Sequence, residues 1–181
     1  MDIHDFVASI IGQLVWSVKR GHGSFLTMEF GNPNLAVREP IVSSAKNMPI
    51  VVESLGRRHV SIKGTWHLWV QEAAWSVATG EKKSSFNQDK MLIDEVLKNL
   101  DGQKVTSIDF EENKARLIIK FDLGGILNIL PLPEQLEPDI IVWSLHKWNG
   151  NTTSISQNGD VTIENHTSEP STSSERPLPP G

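Results

Sequence analysis

IHDFVASIIGQLVWSV, residues 3–18, decides the fold, because its pattern returns 90 residues later as IDEVLKNLDGQKVTSI, residues 93–108. In the first stretch Ile3, Phe6, Val7 and Ile10 stand at i, i+3, i+4 and i+7; in the second Ile93, Val96, Leu97 and Leu100 do the same. That spacing puts four apolar side chains on one face of a helix. Gly-Gln follows in both copies, at Gly12-Gln13 and Gly102-Gln103. Glycine takes the left-handed conformation that ends a helix without a Cβ penalty. Strand-like alternation begins at Val15 and Val105. The pattern predicts helices over 3–11 and 88–100, each feeding a β-strand. Ser84, Ser85 and Asn87 are candidate caps for the second helix, with Asp89 near its positive end.

The parallel continues outward. SFLTMEFG (24–31) lies opposite ARLIIKFD (115–122), and Trp66-His67-Leu68 opposite Trp143-Ser144-Leu145. Arg20-Gly21-His22-Gly23 and Glu111-Glu112-Asn113-Lys114 each separate two strand-like runs, as hairpin turns do. Asn149-Gly150 and Asn158-Gly159 predict a closing meander. The expected architecture is α+β, mainly antiparallel sheet with two helices, in two tandem related units. The units span 1–80 and 81–165, the second packed on the first. Residues 32–58 are the main length difference between them. Asn32-Pro33-Asn34 reads as a turn, and residues 48–52 as an edge strand or an excursion toward a partner. Residues 166–181 hold four prolines and many Ser and Thr, too little apolar surface to offset ordering.

Composition narrows function by exclusion. The 181 residues carry 17 Lys+Arg against 22 Asp+Glu, a net charge of −5. Nucleic-acid binding needs concentrated positive charge, which is not the overall balance here. There is no cysteine, so disulfides, thiolate metal sites and a cysteine nucleophile are excluded. The N-terminus lacks the basic region of a secretory signal, and no apolar run is long enough to span a bilayer. The expectation is a soluble cytoplasmic protein that does not act on membranes.

No motif announces chemistry. Six histidines occur without HExxH or a close pair. His22, His67 and His146 are the three whose convergence in space would matter. Gly21-His22-Gly23-Ser24 precedes a strand rather than a helix, which suits a hairpin and not a phosphate loop. Asp109, Glu111 and Glu112 cluster at a predicted hairpin tip, where charge is solvated. No GxSxG turn is present. The sequence gives no catalytic, metal or cofactor residues.

GTWHLWVQEAAWSV, residues 64–77, holds three of the six tryptophans. Alternation places Trp66, Leu68 and Val70 on one face and His67, Trp69 and Gln71 on the other. The pattern breaks at Glu72-Ala73-Ala74, where a bulge or the end of straight pairing is expected. Trp66 is predicted to pack under the N-terminal helix, with Trp143 as its counterpart. His67, Trp69 and Gln71 form the candidate interaction surface.

In GSFLTMEFG (23–31), WHLWV (66–70), LDGQKV (100–105) and IKFDLGGIL (119–127) the chain resembles small uncharacterised bacterial proteins of the immunity type found in toxin systems. The resemblance covers roughly residues 10–165 and carries no functional residues over. It implies a small α+β protein that acts by binding rather than catalysis. A non-catalytic protein-binding module is therefore the leading expectation, with a basic partner such as a nuclease toxin, or self-association. The alternative is a small-molecule-binding or enzymatic protein with a site between the two units, near His67 and Trp69.

Overall fold

A computed structural model describes residues 2–41, 55–132 and 139–165. The expectations for residues 48–52 and for the tail lie outside the described residues. Helix α1 spans Ile3–Ala8, and strands β1 (Val15–Arg20) and β2 (Leu26–Phe30) follow. A hairpin arm, β3 (Asn34–Arg38) and β4 (His59–Lys63), precedes β5 (Trp66–Val70), β6 (Ala73–Thr79) and β7 (Lys82–Ser85). Then come α2 (Lys90–Leu100), β8 (Val105–Glu111), β9 (Arg116–Phe121) and β10 (Gly125–Pro131). The meander β11 (Ile141–Lys147), β12 (Asn151–Ser156) and β13 (Val161–Asn165) closes the fold. The architecture is α+β and mainly antiparallel.

Both predicted helices form with the expected stripes inward: Ile3, Phe6 and Val7 on α1, and Ile93, Val96, Leu97 and Leu100 on α2. Gly12 and Gly102 adopt φ of 83° and 88°. The cap of α2 differs from expectation. Asp89 itself accepts from the Met91 N–H at 2.9 Å, while Ser84 and Ser85 lie on β7, a strand the polar sequence KKSS did not reveal.

Six strands form sheet A in the order β1-β2-β5-β11-β12-β13, and five form sheet B in the order β7-β6-β10-β9-β8. Each sheet takes strands from both sides of residue 80. The chain leaves sheet A after Val70 and enters sheet B at Ala73. This crossing is the break in alternation at Glu72.

Read from β1 and from β8, the two sheets share one strand order. β1, β2 and β5 in sheet A match β8, β9 and β10 in sheet B, and β11 and β12 match β6 and β7. The contacts match too. The Gly12 N–H donates to the Val105 carbonyl at 2.8 Å and the Gly102 N–H to the Val15 carbonyl at 2.7 Å. The Trp75 indole on β6 donates to the Ser24 carbonyl at 2.6 Å, and the Trp143 indole on β11 to the Ala115 carbonyl at 3.2 Å. In this order the counterpart of Trp143 is Trp75, not Trp66. The shared sequence is Trp-Ser followed by Val77 or Leu145, which the 90-residue offset obscured because the arm lengthens only one half.

The inner faces of both sheets and the two helices enclose one apolar cluster. Trp66 is 4% exposed and meets Phe6 of α1 edge-on, with ring centroids 5.0 Å apart. Its predicted place under the N-terminal helix is the observed one. Among the described residues, no helix is long and apolar enough to cross a membrane.

Candidate functional site

The outer face of sheet A is polar and organised. Strand register aligns Trp16, Glu29, His67, His146, Thr152 and Glu164 in one row across all six strands. Beside it runs Lys19, Thr27, Trp69, Ser144, Ser154 and Thr162. Alternation along β5 put His67 and Trp69 here, as the sequence implied.

Glu29 is the unexpected member. It is a carboxylate only 5% exposed on the outer face of a sheet. Its Oε2 accepts from the Gly64 N–H at 2.8 Å, its Oε1 lies 2.9 Å from His67 Nδ1, and Lys63 Nζ is 3.5 Å away. Burial alone would raise its pKa. The hydrogen bonds from His67 and Gly64, with the electrostatic pull of His67 and Lys63, outweigh burial and hold it below the usual carboxylate value. An ionised Glu29 accepts the Nδ1 proton of His67, which aims Nε2 away from Glu29. Gly64 permits this geometry. A Cβ there would come within 2.7 Å of the Phe30 and Trp66 carbonyl oxygens, so only glycine lets the arm return so closely to the sheet.

His146 stacks obliquely on His67, centroids 5.7 Å apart, and its Nδ1 lies 2.8 Å from Thr152 Oγ1. Two of the three singled-out histidines therefore meet. His22 does not join them; it is exposed on the β1–β2 turn. Gln71 is tied into the fold. Its N–H donates to the Val142 carbonyl at 2.9 Å, and its own carbonyl accepts from Ser24 Oγ at 2.6 Å. Glu111, from the predicted acidic tip, is held by Lys114 and Arg116.

Two open clefts meet at Lys63 and His67. One, about 520 Å³, runs past His146, Thr152 and the turn at Trp148. The other, about 920 Å³, lies between the arm and the sheet, lined among others by Trp16, Lys19, Glu29, His59 and Trp69. Sequence reasoning missed Glu29, Lys63, His59 and Trp16. No local pattern pairs Glu29 with His67, because the register between β2 and β5 is set across the arm.

Sheet B shows that this row is not a requirement of the architecture. Its equivalent row reads Lys120, Ile126, Ala78 and Lys83 where sheet A has Glu29, His67, His146 and Thr152. The place of Trp69 is taken by Asn128. The same strand order forms without a buried carboxylate–imidazole pair or an outward tryptophan.

The arm has two unlike faces. His59, Ser61 and Lys63 line the larger cleft. On the other face Leu35 pairs with Ile62 and Val37 with Val60, all four 49–65% exposed, with Ile62 also reaching the edge of the cleft. Residues 34–63 carry five basic side chains against two acidic ones, within a chain of net charge −5. No protein-family model, curated protein or solved structure matches this chain.

Proposed function

We propose that the chain is a non-catalytic binding protein whose arm docks a protein partner. The observation that carries this reading is the exposed apolar quartet Leu35, Val37, Val60 and Ile62, two directly opposed cross-strand pairs on a two-stranded sheet. An isolated hairpin gains little stability in water, and a contiguous exposed apolar patch of this kind marks interaction surfaces. Net charge alone would suit a basic partner. The local excess of Arg and Lys along residues 34–63 argues instead for a partner with an apolar contact patch and an acidic rim. An immunity or inhibitor role in a bacterial toxin system, in the cytoplasm, is consistent with such docking and belongs to the same proposal. So does an internal duplication, which the matched strand orders and paired tryptophan bonds support.

A photo-crosslinking residue at Val37 should capture a partner in cells, whereas one at Ser107, on the outer face of sheet B, should not. The captured protein, purified and titrated by calorimetry, should bind the wild type with salt-sensitive affinity. The Leu35→Glu/Val60→Glu variant should lose that binding while unfolding at the same urea concentration. Equal binding by the variant would sink the reading. Concentration-dependent sedimentation of the chain alone, abolished by the same variant, would replace the foreign partner with a second copy.

A further inference from the structure

We infer that the larger cleft, between the arm and the outer face of sheet A, binds a small planar ring carrying a compact oxyanion, carboxylate or phosphate. Its volume of about 920 Å³ falls in the range of ligand sites, which pair apolar walls with a few placed polar groups. Trp16 and Trp69 supply ring surface. The Trp16 indole is fixed by donating to the Gly31 carbonyl at 2.9 Å, and Trp69, 39% exposed, keeps much of its ring accessible. Flat aromatic walls favour a flat guest.

The polar side of the cleft favours an anion. Its charged lining is Lys19, Lys63 and Glu29, with His59 and His67 beside them. Glu29 is spent within the protein, one oxygen on Gly64 and the other on His67 and Lys63. What faces a ligand is therefore the Lys19 ammonium, the Lys63 ammonium, which Glu29 meets only at 3.5 Å, and the imidazole of His67. Its Nδ1 is held by Glu29, and its Nε2 has no hydrogen-bond partner among the described residues. The buried carboxylate positions an imidazole rather than meeting the ligand.

Local backbone supports the assignment. The bulge between Trp16 and Lys19 places these residues, three apart, in the same cleft, whereas regular alternation would send them to opposite faces. Ser17 inside it takes φ of 54°, a left-handed conformation unfavourable for a residue with a side chain. The bulge in β8 lies one step earlier along the ladder, between Val105 and Ser107, and contains no left-handed residue. The row in sheet B equivalent to Glu29 and His67, with Lys120 and Ile126, has none of this chemistry.

The test uses the full chain with 1-naphthoate and adenosine monophosphate as anionic probes. 1-Naphthalenemethanol, adenosine and inorganic phosphate are the controls. Indole N–H resonances, assigned with Trp16→Phe and Trp69→Phe, report the site. At least one anionic probe should shift the Trp16 and Trp69 signals with Kd of about 1 mM or below. Its neutral analogue and phosphate alone should bind at least about tenfold more weakly. Which anionic probe binds separates carboxylate from phosphate ligands. Lys63→Met should weaken the anionic probe about tenfold and leave the neutral ring unchanged. Lys19→Met, which leaves Glu29 untouched, should weaken it in the same direction and guards against misfolding around Lys63. The inference is overturned if no anionic probe moves both signals at 10-fold that concentration, if charged and neutral rings bind alike, or if both lysine variants bind as the wild type does. The arm's outer-face variant Leu35→Glu/Val60→Glu, whose positions do not line the cleft, should bind these probes normally, so this site and the docking face fail or stand separately.

Discussion

Trp66→Ala and Trp69→Ala, two changes three residues apart on one strand, should differ several-fold in cost. Trp66 is 4% exposed, packs edge-on against Phe6 at 5.0 Å and lies under the Lys147 ammonium, 5.2 Å from its ring centre. Truncation leaves a cavity between α1 and sheet A, and large-to-small changes of this kind cost about 3–5 kcal/mol. The lost cation–π contact adds about 0.5–1 kcal/mol. Against a total stability of about 5–15 kcal/mol, the variant should lose a large share of its folding free energy. In a chain of this size each kcal/mol moves Tm by about 2–4 °C, so the total of about 3.5–6 kcal/mol should lower Tm by about 7–24 °C. Trp69 is 39% exposed on the opposite face and touches Phe25 obliquely, at 6.3 Å between centroids. Its truncation should cost about 1 kcal/mol or less. Urea unfolding of both variants, followed by circular dichroism, measures the difference directly. Equal losses, or a Trp66→Ala cost under about 1.5 kcal/mol, would refute the assignment of the two faces to core and surface.

Trp75→Phe and Trp143→Phe each remove the donor to a buried carbonyl, at Ser24 and Ala115. Each should cost about 1–3 kcal/mol in the same urea assay, and a loss confined to one of them would contradict equivalent roles. Asp89→Ala removes the side-chain cap from the Met91 N–H and should cost about 1 kcal/mol; no change would mean the α2 terminus is solvated equally well without it. Glu29→Gln tests the buried pair through pH. Because the folded-state pKa of Glu29 lies below its unfolded value, its ionisation contributes stability above the unfolded pKa of about 4.3, and that contribution is lost as pH falls through the folded pKa. The wild type should therefore exceed the variant from neutral pH down to about pH 5 and lose its lead progressively below about pH 4. A difference that does not shrink in acid would mean the ionised carboxylate is not what stabilises the site.

Much of this fold was legible because helices and hairpins are local. The i, i+3, i+4, i+7 stripes of α1 and α2, and the turns at Gly21, Asn149 and Asn158, depend on residues adjacent in sequence. The faces of β5 followed from a two-residue period. What stayed hidden depends on register between distant segments. Glu29 and His67 lie 38 residues apart, and nothing in SFLTMEFG marks its glutamate as buried. The arm escaped too, because NLAVR and HVSIK are short, half polar and separated by a stretch that breaks the pattern. The Trp66–Trp143 alignment failed for a related reason. The 90-residue offset of the two helices does not carry past the arm, which falls between the first helix and Trp75 and has no counterpart among the described residues between α2 and Trp143.

The arm also carries the functional reading. Where the chain passes from β9 to β10 through a short turn at Gly124 (φ 85°), it passes from β2 to β5 through the whole arm. The cores on the two sides carry equivalent tryptophans with equivalent carbonyl partners, so packing demands are met twice with similar residues. The outer faces diverge. Lys120, Ile126 and Ala78 stand in sheet B where the arm-covered sheet A has Glu29, His67 and His146. A buried carboxylate carries a desolvation cost that the equivalent position in sheet B does not bear. The difference between the two sheets is therefore concentrated where the arm lies, and there it takes the form of paired charges, aromatic walls and an exposed apolar edge. Removing residues 34–63 and joining Pro33 to Gly64 through a short glycine linker separates the two demands. If the arm serves binding rather than folding, the shortened chain should retain its tertiary circular dichroism and cooperative unfolding, at some loss of stability from the exposed Glu29, while losing the 1-naphthoate or adenosine monophosphate response and the partner captured at Val37. A chain that no longer folds cooperatively would show instead that sheet A needs the arm as a structural cover.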